Sequence, residues 1–177
     1  GAPGRILSSQ IEHPSVEGPL ARLEKRGWSV VRLAVDREGQ LDLEAFDAAL
    51  VPETALVSLI WANNETGVLL PIAKLAARVR ERGVALHVDA TQWVGKLPLD
   101  LRALPIDLLS CSAHKLGGPK GVGALVIREG ARLEPFLRGG GQEKRMRAGT
   151  ENVPAIAAFG AAARAAMTGR NEERRRI

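Results

Sequence analysis

The stretch from Asp107 to Ile127 limits the chain more than any other. A short apolar run, Leu108-Leu109-Ser110-Cys111-Ser112, stops at Ala113-His114-Lys115. A glycine-rich turn follows through Gly117, Gly118, Pro119, Gly121 and Gly123, and a second apolar run, Ala124-Leu125-Val126-Ile127, begins at once. Two strand-sized runs are thus joined by too few residues for a crossover helix, so they are either antiparallel or not direct neighbours. The first strand delivers a histidine and a lysine to its end, where glycines let a ligand approach the backbone. A lysine that loses hydration at such a strand end becomes more nucleophilic as its pKa falls. The plain alternative is a solvated loop lysine.

Upstream, strand-sized runs alternate with helix-period segments. Strands are expected at Ile6–Ser9, Ser29–Val35, Ala55–Ala62, Val84–Ala90, Leu108–Ser112 and Gly123–Arg128. Helices are expected at Ser15–Arg26, Leu43–Leu50, Pro71–Arg82 and Ala155–Met167, with Gly27 and Gly83 as stops. Alternation of this kind builds a mainly parallel sheet covered by helices on both faces, here mixed because of its last pair. The expected fold class is therefore a three-layer α/β/α domain.

In a parallel sheet, the run Val84–Gln92 opens onto the same edge as the end of Leu108–Ser112. It closes with Asp89 as the other closes with His114-Lys115. Ligands of open α/β sheets bind at that edge. An amine for a Schiff base and a carboxylate for a pyridinium nitrogen are the protein groups that pyridoxal phosphate (PLP) requires. The residues alone leave Asp89 open between this role and that of a strand-terminal residue capping a helix. Lys120 is the rival of Lys115.

The motifs His87-Val88-Asp89-Ala90-Thr91-Gln92 and Ser112-Ala113-His114-Lys115 with Gly118-Pro119-Lys120-Gly121 resemble those of the cysteine desulfurases. These belong to the class V aminotransferase group of fold-type I PLP enzymes. Three more motifs extend the resemblance in the same order: Glu12-His13-Pro14-Ser15, Asn63-Asn64-Glu65-Thr66-Gly67, and Gly139-Gly140-Gly141-Gln142-Glu143 leading to Arg147-Ala148-Gly149-Thr150. Together they span roughly residues 5 to 165.

The resemblance implies a role for each site residue. Lys115 is the Schiff-base lysine and Asp89 faces the pyridine nitrogen. His13 stacks on the ring and handles protons near it, where the residues alone allow a helix-entry role. Asn64 and Gln92 bond the ring hydroxyl oxygen. Ser112 and His114 reach the phosphate, and Thr150 serves the phosphate of a partner subunit, which implies a homodimer. His87 is expected to lie in the core or behind the site. The implied activity converts L-cysteine to L-alanine and leaves an enzyme-bound persulfide for iron-sulfur cluster assembly or other sulfur transfer, delivered to an acceptor or scaffold protein. A selenocysteine lyase, another class V aminotransferase or an inactive PLP-fold scaffold are the alternatives.

The resemblance also implies segments that this sequence lacks: an N-terminal phosphate-binding segment and a C-terminal small domain with a cysteine loop. Residues 1–168 are thus expected to be a partial large domain, incomplete at both ends, and residues 169–177 a frayed basic tail. Cys111, within a strand, is no substitute for the loop cysteine.

Composition settles which other functions remain. A formal charge of +5 with aromatics at 3% gives a basic chain without stacking residues, which disfavours nucleic-acid binding. One cysteine permits neither a disulfide framework nor a cysteine metal cluster, and no metal site is expected. Strand-sized apolar runs exclude a membrane helix, and the first residues lack a secretory signal, so a cytoplasmic setting is expected.

Overall fold

The computed structural model describes the backbone of residues 3–176 and the side chains of residues 3–169. Strands β1 (Arg5–Ser9), β2 (Ser29–Leu33), β3 (Thr54–Ile60), β4 (Ala85–Asp89), β5 (Leu108–Ser112) and β6 (Gly123–Ile127) form one six-stranded sheet in the order β2-β1-β3-β4-β5-β6. Helices α1 (Pro14–Glu24), α2 (Leu43–Ala49) and α3 (Ile72–Glu81) connect the first four strands. All ladders are parallel except β5/β6, which is antiparallel with Ser110 opposite Leu125. The mixed sheet is the one that the short link between these strands demands.

Handedness distributes the helices. The chain steps from β1 outward to β2, then returns past β1 to β3 and onward to β4. Right-handed crossovers then place α1 on one face and α2 and α3 on the other. The register agrees. Leu7, Val57, Leu59, Leu86, Val88 and Leu109 share a face, and all are buried in one cluster with Phe46 of α2 and Ile72, Leu75, Ala76 and Val79 of α3. Their neighbours Ser8, Ser58, His87, Asp89 and Ser110 point to the opposite face. There α1 is tied to the sheet by Arg32, which bonds Glu17 and Glu24 at 2.8 Å each.

Between β1 and β3 the connection order reverses, and open α/β sheets form their ligand crevice at such a switch point. Most elements differ from the sequence reading by a residue or two at an end, and three of the differences have a clear physical reason. Helix α1 starts at Pro14, whose missing amide is harmless at the first helical position. Strand β2 ends at Leu33, with Val35 reduced to an isolated bridge to Leu41. Helix α4 spans Val153–Arg176, so its backbone continues through the expected tail at 169–176. Alanine, arginine and glutamate are strong helix formers, and one glycine at Gly169 does not stop them. Ile177 lies outside the described residues.

Candidate functional site

The parallel strands finish on a common edge, with Ile60, Asp89 and Ser110 in register across β3, β4 and β5. The turns leaving β1, β3, β4 and β5 carry His13, Asn64, Gln92 and Lys115 respectively. The fold therefore brings together residues spread over a hundred positions of sequence.

Asp89 is 5% exposed at the last position of β4. Its Oδ1 accepts the Thr91 amide at 2.9 Å and so caps the turn that follows, while no hydrogen bond among the described residues reaches Oδ2. The cap is made on a turn and not on a helix, and it occupies one oxygen only. His13 divides in the same way. It is the N-cap of α1, and its Nδ1 accepts the Ser15 amide at 3.1 Å, with the Ser15 hydroxyl at 2.8 Å. An amide can only donate, so the neutral ring carries its proton on Nε2.

The two asparagines separate cleanly. Asn63 builds the turn: its Oδ1 accepts the Glu65 and Thr66 amides at 3.0 and 2.9 Å, and its Nδ2 donates to the Ile11 carbonyl at 3.0 Å. Asn64 is exposed, and its amide makes no hydrogen bond among the described residues. Gln92 accepts from the Lys96 ammonium through Oε1. The amine of Lys96 is itself held below the ordinary lysine range, first by partial burial and then by the nearby Lys115 charge.

Ser112 precedes a 3-10 turn, Ala113–Leu116, and its hydroxyl is not consumed in capping it. His114 and Lys115 lie in that turn, both exposed. The turn ends at Gly117, whose φ of 84° favours glycine, and Gly118 then packs tightly, since a Cβ there would lie 3.0 Å from the Ala113 carbonyl oxygen. Lys115 is therefore presented by a tight, backbone-defined loop. Lys120 falls beyond that turn.

Thr150 is exposed in the segment before α4, and no hydrogen bond joins it to the strand-end residues. That segment contains a cavity of about 400 Å³ lined by Pro135, Arg138, Gly139, Gly140, Gly141 and Arg145, apart from the strand ends. His87 lies on the polar face, with Nδ1 2.8 Å from the Ser58 hydroxyl and Nε2 3.1 Å from that of Ser110. Burial lowers its pKa. Burial likewise pushes the Cys111 thiol up, which keeps it protonated and a poor nucleophile.

Two features escape motif reading. Trp61 and Trp93 stack with centroids 4.0 Å apart and planes 15° from parallel, joining the end of β3 to the turn that bears Gln92. Glu12 bonds the Ser9 hydroxyl at 2.6 Å and the Ile60 amide at 2.8 Å, which bridges β1 and β3 at the switch point. Glu12 stands in the motif Glu12-His13-Pro14-Ser15, but nothing in that motif shows the bridge it makes.

Comparison with known proteins decides the family. The model for the class-V aminotransferases matches residues 2–176. The chain belongs to the class-V aminotransferase family. A cysteine desulfurase of Klebsiella pneumoniae is 53% identical over 157 residues, which is 89% of this chain and 40% of that relative. One from Gluconacetobacter diazotrophicus is 51% identical over 173 residues, 97% of this chain and 43% of the relative. Among solved structures, DndA from Streptomyces lividans superposes with a TM-score of 0.88 at 44% identity, covering 95% of this chain and 49% of its own. A NifS-like protein reaches 0.93 at 38% identity, over 97% of this chain and 47% of that one. The chain thus spans less than half the length of these class-V relatives.

Class-V aminotransferases of the cysteine desulfurase type depend on PLP, and the residues present fit that group. A buried carboxylate keeps one oxygen free, a lysine projects one strand away, and the amide of Asn64 and the hydroxyl of Ser112 are spare.

Proposed function

We propose that this chain is the cofactor-holding part of a PLP-dependent cysteine desulfurase, acting on L-cysteine. The observation that carries the reading is the divided use of Asp89: one oxygen is fixed by the Thr91 amide and the other is unpartnered at 5% residue exposure. A largely buried carboxylate with one oxygen left open at the strand edge suits a cationic partner, and the pyridinium nitrogen is one. Roughly 50% identity to cysteine desulfurases supports the substrate class, as does the 0.90 TM-score to a structure described as SspA in complex with cysteine.

PLP, when bound, supplies an electron sink that lets bonds at the substrate Cα and Cβ break. The chain's own residues do the rest. Lys115 would hold the cofactor through Nζ and, once released, would move a proton at the substrate Cα. Asp89 keeps the ring nitrogen protonated. His13 would lie against the cofactor and offer Nε2 as its proton-exchanging atom, with its own ring held by the Ser15 amide. Asn64 and Gln92 orient the ring oxygen without adding charge, and Ser112 and His114 hold the phosphate. Lys96 sets the direction of the Gln92 amide.

The thiol that accepts sulfur belongs, in this reading, to residues other than these, because Cys111 is paired inside the sheet opposite Ala124. A homodimer completes the reading. Thr150 is exposed, and the neighbouring Phe136 and Val153 are 95% and 64% exposed, as suits a segment that meets a second subunit. The persulfide is passed to an acceptor or iron-sulfur scaffold protein.

Titration of the purified chain with PLP, followed by borohydride and peptide mapping, tests the assignment. A visible absorbance band, fixed by borohydride at Lys115 and missing in Lys115→Ala, is expected. A folded chain that shows no band, or one fixed at Lys120, would overturn it.

A further inference from the structure

Glu12 is the one carboxylate of the strand edge with no role so far. It sits where the connection order reverses, between the end of β1 and the end of β3. Its Oε1 accepts twice, from the Ser9 hydroxyl at 2.6 Å and the Ile60 amide at 2.8 Å. Its Oε2 is buried and has no hydrogen-bond partner. An ionised carboxylate offers about four acceptor sites, and burying one with half of them empty is costly. Moving a proton onto Oε2 removes the charge while Oε1, now a carbonyl oxygen, still accepts both bonds.

The surroundings push the same way. The charged groups that act on Glu12 are Asp89 at the end of β4 and Glu17 one turn into α1, and both are negative. From β1 and β3 it meets only the Ser9 hydroxyl and the Ile60 amide. Burial first, and these two carboxylates after it, carry the Glu12 pKa up to about 7 against the lowering effect of its two hydrogen bonds. Proteins do keep carboxylic acids neutral near pH 7 when their sites demand it.

We infer that Glu12 is a positioning residue: as a neutral acid it fastens the turn carrying His13 to the end of β3 and spares Asp89 a second negative charge beside it. The inference deepens the PLP reading and rests on it for its functional meaning. Its physical core concerns the cofactor-free chain alone. The Ile11 carbonyl accepts from Asn63 Nδ2 just beyond β3, so the turn before His13 is held at two consecutive residues, Ile11 and Glu12.

Carbon-13 titration of the side-chain carboxyls in the cofactor-free protein is the direct test. Glu12 Cδ should titrate with a midpoint near 7. The backbone amide resonances of Ile60 and His13 should move with that midpoint, and in Glu12→Gln they should stay at the positions of the acidic form at every pH. PLP half-saturation at pH 7 should survive in Glu12→Gln and weaken about tenfold in Glu12→Ala, which loses both anchors. A Cδ midpoint in the ordinary glutamate range would overturn the inference, as would His13 and Ile60 amides indifferent to Glu12. Absence of PLP binding with the titration as expected would sink the cofactor reading and leave the neutral acid standing.

Discussion

The two faces of the sheet are built to opposite plans. One face carries Leu7, Val57, Leu59, Leu86, Val88 and Leu109 against α2 and α3, and α3 alone buries Ile72, Leu75, Ala76 and Val79. The other carries Ser8, Ser58, His87, Asp89 and Ser110, and its helix α1 buries only Leu20. Stability therefore resides on the apolar face. The polar face holds a run of hydrogen bonds from the Ser8 hydroxyl to the Ser58 carbonyl, and from the Ser58 hydroxyl through His87 to Ser110, the register partner of Asp89. A sheet with one dry face can support on the other the buried polar groups that chemistry needs.

The largest effect should come from breaking the dry face. Leu59 and Leu86 are fully buried in the cluster, and Leu86→Ala should cost about 2–5 kcal/mol, enough to remove much of a small domain's stability. Urea unfolding followed by circular dichroism measures it, and a loss under 1 kcal/mol would place the core elsewhere. Asp89→Asn tests the polar face by the opposite criterion. The substitution keeps the shape and the Thr91 cap, so the urea midpoint should barely move. PLP half-saturation should nevertheless weaken about tenfold or more, because the amide cannot keep the ring nitrogen protonated.

How legible all this was depended on the type of residue. The apolar face could be read from alternation in the strands and helical spacing in 72–81, since hydrophobic burial follows periodicity. Strand-end residues such as Asp89 and Lys115 could be placed on a common edge, because parallel strands open the same way. The division of labour within a pair could not be read from the residues alone, although the resemblance singled out Asn64. Asn63 and Asn64 are identical in sequence terms, and only the fold shows that Asn63 reaches back to Ile11 while Asn64 faces outward. Glu12 was hidden for a related reason, as its partner Ile60 lies forty-eight positions away and offers only a backbone amide. Nor could composition show where α4 ends, since Ala-rich and Arg/Glu-rich stretches are equally helical.

A third prediction uses acid to separate the faces. The folded state lowers the His87 pKa by burial, so between that lowered value and about 6.5 the unfolded chain binds a proton that the folded one refuses. Stability from this group is complete above about 6.5 and is lost as the pH falls through that window. Glu12 has the opposite sign: its raised pKa makes the folded state the better proton binder between about 4.5 and 7. Its contribution is present in acid and is lost as the pH rises through 7. The two slopes partly cancel in the native chain. Glu12→Gln should uncover the acid sensitivity of His87, and His87→Gln the alkaline sensitivity of Glu12, in urea midpoints measured from pH 5 to 8. Parallel curves for all three proteins would show that neither group titrates as its burial requires.

The smallest effect should come from the ion pairs that hold α1. Arg32 sits between Glu17 and Glu24 with 24% side-chain exposure, and both glutamates are about 40% exposed. Screening limits what such pairs contribute, and salt weakens them further. Pro19 inside α1 also removes an amide from the helix ladder. α3, by contrast, has one such pair, Arg78 to Asp47 of α2, and is held mainly by the apolar contacts of Ile72, Leu75, Ala76 and Val79, which salt does not screen. Arg32→Gln should therefore leave the global unfolding midpoint almost unchanged while speeding amide exchange in α1 and not in α3. Added salt should bring the unsubstituted chain towards the variant in α1 alone. Equal exchange of the two helices at every salt concentration would mean that α1, which begins beside His13, draws its order from the sheet and not from its charges.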